Sequence, residues 1–85
     1  MSSIPYIDME ATGRNIERLR LDKGLSVSQL QEQICFASAQ AIYKWQRGAS
    51  LPSIDNLIVL ARVFGVRVDD ILVVSDEKEK EKKER

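Results

Sequence analysis

Residues 36–48 read F-A-S-A-Q-A-I-Y-K-W-Q-R-G, and this stretch holds the side chains best suited to recognising another molecule. Ile42 and Trp45 are three positions apart, so they share one face of a helix. The remaining positions carry amide, phenol, ammonium and guanidinium groups: Gln40, Tyr43, Lys44 and Arg47. Glutamine can pair bidentately with adenine, while lysine and arginine can reach guanine or phosphate. This chemistry suits a short helix that enters the major groove of DNA.

Both ends of this helix carry recognisable signals. Ser38 precedes the periodic pattern and is a favourable N-cap residue, and Gly48 follows it as a typical C-terminal stop. The sequence therefore predicts a helix over residues 39–47, which adds Ala39 to its exposed first turn. Alanine there can contact a thymine methyl group or act only as a helix former. For Gln40, Lys44 and Arg47 the alternative to DNA contact is an ordinary solvated surface residue.

Composition excludes several other classes of function. The chain has 85 residues, one cysteine and no histidine, so neither an internal disulfide nor a zinc site with histidine and cysteine ligands is available. No histidine can act as a general base, no glycine-rich phosphate loop is present, and the carboxylates are scattered. We therefore expect a single small domain that is not an enzyme and needs no metal, cofactor or small-molecule ligand.

The charge balance and the hydropathy pattern restrict the partners. The formal net charge is zero, from 13 basic and 13 acidic residues, which argues against a general polyanion-coating protein. A neutral domain can still bind DNA if its basic groups lie on one face. The N-terminal sequence M-S-S-I-P-Y-I-D-M-E lacks the pattern of a signal peptide, and the apolar runs are too short to span a bilayer. We expect a cytoplasmic protein without a membrane partner.

Around the helix at residues 39–47, the apolar periodicity and the capping residues predict four more helices. The first begins near Asp8 or Thr12 and reaches about Lys23. Ser26 and Gln29 form a capping box for a short second helix, and residues 35–37 form the turn that follows. Ser53 caps a fourth helix that Gly65 ends. A short fifth helix covers residues 68–73.

The two ends of the chain differ from this helical centre. Residues 1–7 read as an extended arm, and residues 76–85 form a charged low-complexity tail that is expected to be disordered. Apolar residues lie close to both ends, at residues 4–7 and 71–74. We hypothesise that the arm packs beside residues 72–74 as a short two-stranded pairing, and that a homodimer, if it forms, uses the same apolar residues.

The run from Ile16 to Leu72 resembles the phage-repressor (Xre/Cro) family of helix-turn-helix DNA-binding domains. The matching segments are I-E-R-L-R-L-D-K-G-L-S at residues 16–26, Q-A-I-Y-K-W-Q-R-G at 40–48, L-P-S-I-D-N-L at 51–57, F-G-V at 64–66 and D-D-I-L at 69–72. The resemblance implies an all-α, compact five-helix repressor-like domain at residues 8–75, with the helix-turn-helix at about 26–48, flanked by the arm and the tail.

Three positions depart from the pattern of that family. The turn between the second and third helices contains no glycine and is one residue longer than usual. Gln46 stands where the family often has a glutamate that pairs with an arginine at the position of Arg20, so a neutral hydrogen bond replaces the salt bridge. Val27 stands where a glutamine often contacts the DNA backbone, and that contact is either lost or made by Ser28.

The resemblance, together with the helix described above, assigns expected roles to individual residues. Base reading falls to Ala39, Gln40, Tyr43 and Lys44. Contacts to the DNA backbone fall to Ser28, Ser38, Arg47, Ser50 and Arg20. Arg20 and Gln46 are also expected to form a structural pair. Trp45 is assigned to the core, because its spacing from Ile42 places it on the apolar face.

These observations predict a sequence-specific transcriptional regulator, by family analogy a repressor, that reads double-stranded DNA with the helix at residues 39–47. One such domain usually binds weakly, so specificity favours a homodimer on two half-sites. The alternative is a protein-interaction module or an antitoxin-type adaptor with the same fold, which the zero net charge, Val27 and Gln46 favour. Clustering of Arg14, Arg20, Lys44 and Arg47 beside Gln40 would favour DNA, and acids interrupting that face would favour the adaptor.

Overall fold

The computed structural model describes residues 4–34 and 37–76, which form five helices and one pair of short strands. The elements follow the order β1 Pro5–Ile7, α1 Met9–Asp22, α2 Val27–Gln33, α3 Ala39–Arg47, α4 Ile54–Phe64, α5 Val68–Ile71 and β2 Val74–Asp76. The architecture is therefore the predicted five-helix domain, with a two-stranded ribbon as a small addition to an all-α fold.

Side-chain caps fix where the helices begin. The Asp8 carboxylate accepts the Ala11 N–H at the start of α1, and Ser26 forms the predicted capping box with Gln29 at the start of α2. The hydroxyl groups of Ser38 and Ser53 cap α3 and α4 by accepting N–H groups of the first turn. Each bond satisfies a backbone donor that has no partner within the helix.

The apolar stripes of the helices meet in a single core. Every helix contributes to it, and burial of these side chains supplies most of the stability of so small a domain. Ile34, which ends α2, is also buried. The fully buried large apolar side chains are Ile16, Leu30, Ile42, Leu60 and Ile71.

The ribbon joins the two ends of the described chain. Strands β1 and β2 are antiparallel, with Tyr6 opposite Ser75 and Ile7 opposite Val74. The Asp8 N–H donates to the Val73 carbonyl at 2.8 Å, and the Val73 N–H donates to the Thr12 hydroxyl at 2.9 Å. These bonds attach the ribbon to α1. The arm pairs with the segment after α5 as hypothesised, but its partners are residues 74–76 rather than 72–74, so Asp76 belongs to β2 and not to the predicted tail.

Two predictions about the C-terminal segment need correction. The fifth helix ends at Ile71 rather than at residue 73, because Leu72 is extended and the chain turns into β2. Ile71 is also fully buried in the core, so it cannot contribute to a dimer surface as hypothesised. The predicted turn at residues 35 and 36 and the tail beyond Asp76 lie outside the described residues.

Candidate nucleic-acid interface

Helix α3 has an apolar back and a polar front, as its sequence predicts. Ile42 and Trp45 are buried in the core, and Gly48 ends the helix in a left-handed conformation at φ 77°. The Ala49 N–H donates to the Lys44 carbonyl at 2.9 Å, which completes a glycine-type helix end. The helix is therefore fixed at both ends and along its buried face.

The front of α3 presents four of the predicted site residues side by side. Together they line a shallow depression of about 400 Å³ on the surface, and Tyr43 is 49% exposed within it. Ala39, at the start of the helix, is partly buried against the core. The residues that line the depression are Gln40, Tyr43, Lys44 and Arg47.

The electrostatic character of this depression is cationic. Lys44 and Arg47 are both exposed, and neither has an ion-pair partner among the described residues. Within the part of the chain that the structure describes, no carboxylate belongs to its lining. Four basic residues were expected beside Gln40 if the protein binds DNA. Lys44 and Arg47 lie there, whereas Arg14 is exposed on α1 and Arg20 is buried. Two exposed cations beside an amide and a phenol form a surface suited to a polyanion with hydrogen-bonding edges.

The interior position of Arg20 changes what this side chain can do. Its Nε donates to Gln46 Oε1 at 2.9 Å, and its Nη1 donates to the Leu25 carbonyl at 2.7 Å. Its Nη2 lies 3.9 Å from a carboxylate oxygen of Glu17. The expected pairing of Arg20 with Gln46 is thus present. Two donor groups of the guanidinium are thus engaged inside the domain, which leaves this buried side chain poorly placed to contact phosphate.

Helix α1 positions α3 through a glycine. A Cβ atom at Gly13 would lie 2.5 Å from the carbonyl oxygen of Gln46, and closer still to that of Trp45. Both atoms belong to the backbone and cannot rotate away, so only glycine allows the two helices this approach. The same helix contacts the end of α3, because a Cβ at Gly48 would lie 2.9 Å from the Cα of Glu10.

The three serines predicted to contact the DNA backbone have different surroundings. Ser28 is exposed in the first turn of α2. Ser38 is exposed, and its hydroxyl accepts the Ala41 N–H at 3.1 Å. Ser50 is half-buried in the loop after α3. Ser28 and Ser38 thus stand at helix starts, where backbone N–H groups favour an anion.

Three residues hold this arrangement together in ways that the sequence alone does not predict. Gly13 allows α1 to approach α3, and Thr12 anchors Val73. The side-chain amide of Asn15 donates to the carbonyl groups of Asp70 and Ile71, which fixes the end of α5 against α1. Of the three, only Gly13 could have been noticed in the sequence, because an isolated glycine inside a helical pattern often marks a close contact with another element.

The described residues show no features of two other kinds of site. No helix in this part of the chain has the length and apolar character needed to cross a membrane. Within residues 4–34 and 37–76, histidine, cysteine, aspartate and glutamate side chains form no group of three or more that could hold a metal ion.

Comparisons with known proteins agree with this geometry. Over 57 residues, or 67% of this chain, the sequence is 35% identical to the HTH-type transcriptional activator BcrR of Enterococcus faecalis. The chain spans only 28% of the length of that relative. The fold is similar to that of the S. venezulae BldD DNA-binding domain, with a TM-score of 0.65 and 24% identity. The match covers 76% of this chain and 96% of that domain.

A family model described as helix-turn-helix matches residues 16–71, from the middle of α1 to the end of α5. That segment contains the whole of α2, α3, α4 and α5 and covers most of the described chain. The chain therefore belongs to the Xre/Cro-type helix-turn-helix family of DNA-binding transcriptional regulators.

Proposed function

We propose that this protein regulates transcription by placing α3 in the major groove of double-stranded DNA. The observation that carries the proposal is the grouping of Gln40, Tyr43, Lys44 and Arg47 on one exposed surface of α3, where no acid of the described residues lies. An α-helix fits the width of the major groove, where each base pair presents a distinct pattern of donors and acceptors. On this proposal the protein acts on cytoplasmic DNA and has no enzymatic role.

The position of each residue along α3 suggests its role. Gln40 lies in the first turn, where recognition helices meet base edges, and its amide can pair with adenine. Lys44, one turn later, can reach a base or a phosphate. Tyr43 contacts a thymine methyl group or a sugar, and Ala39 contacts a thymine methyl group at the start of the helix.

Backbone contacts fix the register of the protein on the duplex without reading sequence. Arg47, at the end of α3, supplies a charged contact to phosphate. Ser28 and Ser38 offer hydroxyl groups at helix starts, and Ser50 lies in the loop beyond α3. These contacts would orient α3 so that Gln40 faces the base pairs.

Specific recognition requires more surface than one such domain provides. We propose that two copies bind two half-sites, whose centres on B-DNA are roughly 34 Å apart. Occlusion of RNA polymerase, and hence repression, is the expected output. The relative from Enterococcus faecalis is named as an activator, which makes activation the second candidate. A promoter–reporter assay with the protein present and absent distinguishes the two.

The alternative proposal is an adaptor that keeps the fold but binds a protein. The zero net charge of the chain is the observation in its favour. Among residues 4–34 and 37–76, no acid lines the α3 depression, and this observation favours DNA instead.

Selection from random-sequence DNA tests the proposal directly. Purified protein is incubated with a randomised duplex library at low salt, and bound DNA is sequenced over several rounds. The expected result is an enriched motif with two-fold symmetry. The Gln40→Ala/Lys44→Ala double variant should lose that motif, because loss of a good base contact costs about 1–3 kcal/mol of discrimination.

A matched control separates base reading from general damage. Gln33→Ala removes an exposed glutamine from the end of α2 and should enrich the same motif as the unmodified protein. If the unmodified protein enriches no motif at low salt, the DNA-reading proposal is wrong, and the adaptor becomes the leading candidate.

A further inference from the structure

Helix α4 has an outward face that the domain leaves uncovered. Its inner face is buried against the core through Leu57, Leu60, Ala61 and Phe64. On the outer side, Ile54 is 75% exposed and Ile58 is 56% exposed. These two isoleucines are four residues apart and therefore adjoin on the helix surface. Two neighbouring large apolar side chains in water are a feature of interaction surfaces.

Charged residues of opposite sign accompany the isoleucines. Asp55 and Arg62 are both exposed on the same outer side, near the beginning and the end of α4. They are seven residues apart, which places them two helical turns, or about 10 Å, from each other. Neither has an ion-pair partner among residues 4–34 and 37–76. Along the outer face, Ile58 thus lies between the acid and the base, and Ile54 precedes the acid.

We propose that this outer face, made of Ile54, Asp55, Ile58 and Arg62, binds the same face of a second copy of the chain. In an antiparallel pair of α4 helices, a two-fold axis midway between Asp55 and Arg62 passes beside Ile58. Asp55 of each copy then approaches Arg62 of the other, and the two Ile58 side chains meet near the axis. Such a face is self-complementary, as a two-fold interface requires.

The arrangement of charges favours a second copy over an unrelated protein. An unrelated partner would need its own matching pattern, whereas each copy of α4 carries one half of each of the two ion pairs, so two copies complete both. The ribbon also exposes apolar side chains, at Ile4, Tyr6 and Val74. However, its strands have three residues each, and Pro5 has no N–H to offer a further strand.

The inference deepens the proposed function, because it supplies the dimer that two half-sites require, but it can be tested without DNA. One face of an 11-residue helix is smaller than a standard interface of about 800 Å² per partner. We therefore expect a weak dimer, which DNA would strengthen by holding two copies side by side. Failure of self-association and failure of DNA reading are thus separate outcomes.

Sedimentation equilibrium of the full chain without DNA, at concentrations up to about 1 mM, measures the association. The unmodified protein should show a reversible monomer–dimer equilibrium. Asp55→Arg and Arg62→Asp should each weaken it at least tenfold, because each places like charges opposite one another. An equimolar mixture of the two variants should associate again. In the mixed dimer, one copy has arginine at both positions and the other has aspartate at both, so both ion pairs can form.

Ile58→Glu, which places two carboxylates near the axis, should abolish the dimer, and Leu21→Glu is its matched control. Leu21 is also an exposed apolar residue, but it lies on α1.

Circular dichroism should show that each variant remains folded. A monomer at every concentration would overturn the proposal, and so would a dimer insensitive to Ile58→Glu. A mixture of the charge variants that stays monomeric would also count against it. Loss of association with Val74→Glu alone would instead assign the dimer to the ribbon.

Discussion

Arg20 is a charged side chain that the domain buries to 8% exposure. Removing a guanidinium group from water is costly, and the cost is offset only when its donors find partners. Gln46 and Leu25 accept two of these hydrogen bonds, and the Glu17 carboxylate lies nearby. Because Gln46 belongs to α3 and Arg20 to α1, the bond between them also fixes the end of the candidate recognition helix.

Substitution of Gln46 should therefore change stability in either direction according to the group introduced. Gln46→Leu leaves the Arg20 Nε–H without an acceptor and should lower the free energy of unfolding by about 1–3 kcal/mol. Gln46→Glu replaces a neutral hydrogen-bond acceptor by a charged one and should raise the free energy of unfolding by about 1 kcal/mol at neutral pH. Urea denaturation followed by circular dichroism measures both effects.

The exposed glutamine at position 33 provides the control for this pair. Gln33→Leu and Gln33→Glu should each change the unfolding free energy by less than about 0.5 kcal/mol. If Gln46→Leu proves as mild as Gln33→Leu, the Arg20–Gln46 bond contributes little to the position of α3.

At the scale of elements, the approach of α1 to α3 depends on the absence of a side chain at Gly13. Gly13→Ala would improve helix propensity by about 1 kcal/mol, but its methyl group would collide with backbone carbonyls of α3. We expect the collision to outweigh the gain, with a net loss of about 1–3 kcal/mol and weaker DNA binding by the folded variant. Thermal denaturation and DNA titration measure the two effects.

Arg14→Ala is the matched control, because it changes the neighbouring, exposed position of the same helix. Its unfolding free energy should differ little from that of the unmodified protein. A Gly13→Ala variant with a higher melting temperature would show that α3 can move away from α1 at low cost.

The sequence predicts most element boundaries here because the signals that set them are local. Ser26, Ser38 and Ser53 each begin a helix with a side-chain cap, and Gly48 and Gly65 end helices in the left-handed conformation. Such residues act within one helical turn, so their effect is visible without knowledge of the fold.

Other features depend on contacts between distant parts of the chain. Helix α5 stops early because the Val73 N–H bonds to Thr12, which precedes it by 61 residues. The polar front of α3 was predictable from helical periodicity, whereas the burial of Arg20 was not. A long charged side chain is usually exposed to solvent. Arg20 is buried because the Leu25 carbonyl and the Gln46 side chain both accept hydrogen bonds from its guanidinium group.

At the scale of the whole molecule, the formal net charge is zero. The salt dependence of DNA binding should therefore come from the few basic residues that contact phosphate. Each phosphate contact contributes a slope of about −0.9 to the dependence of log K on log salt concentration. Arg47→Ala should weaken binding to all sequences and reduce the slope by about 1 per copy bound. Fluorescence anisotropy at several salt concentrations measures this slope.

Arg67 offers a comparison with the same chemistry at another site. Its side chain is 83% exposed at the start of α5, outside the α3 depression. Arg67→Ala should leave the slope unchanged. An equal effect of both substitutions would indicate that the salt dependence reflects overall charge rather than a contact by Arg47.

The ribbon connects both ends of the described chain and should contribute to global stability. Deleting residues 1–7 removes β1 and with it the partner of β2. A loss of about 1 kcal/mol would lower the melting temperature by about 4–8 °C in a domain of this size. Differential scanning calorimetry measures the shift. Deleting only residues 1–3 keeps the strand and serves as the control, and equal melting temperatures for all three proteins would refute a stabilising ribbon.

The ribbon also has a consequence for how the protein folds during synthesis. All five helices are synthesised before β2, so β1 must wait for β2 to leave the ribosome before it can pair. Strand β1 is thus made before every helix and reaches its final partner after them. Until then the apolar residues Tyr6 and Ile7 lack their partners in β2. On a translating ribosome, this early segment is the part of the domain that a chaperone would have the longest time to bind.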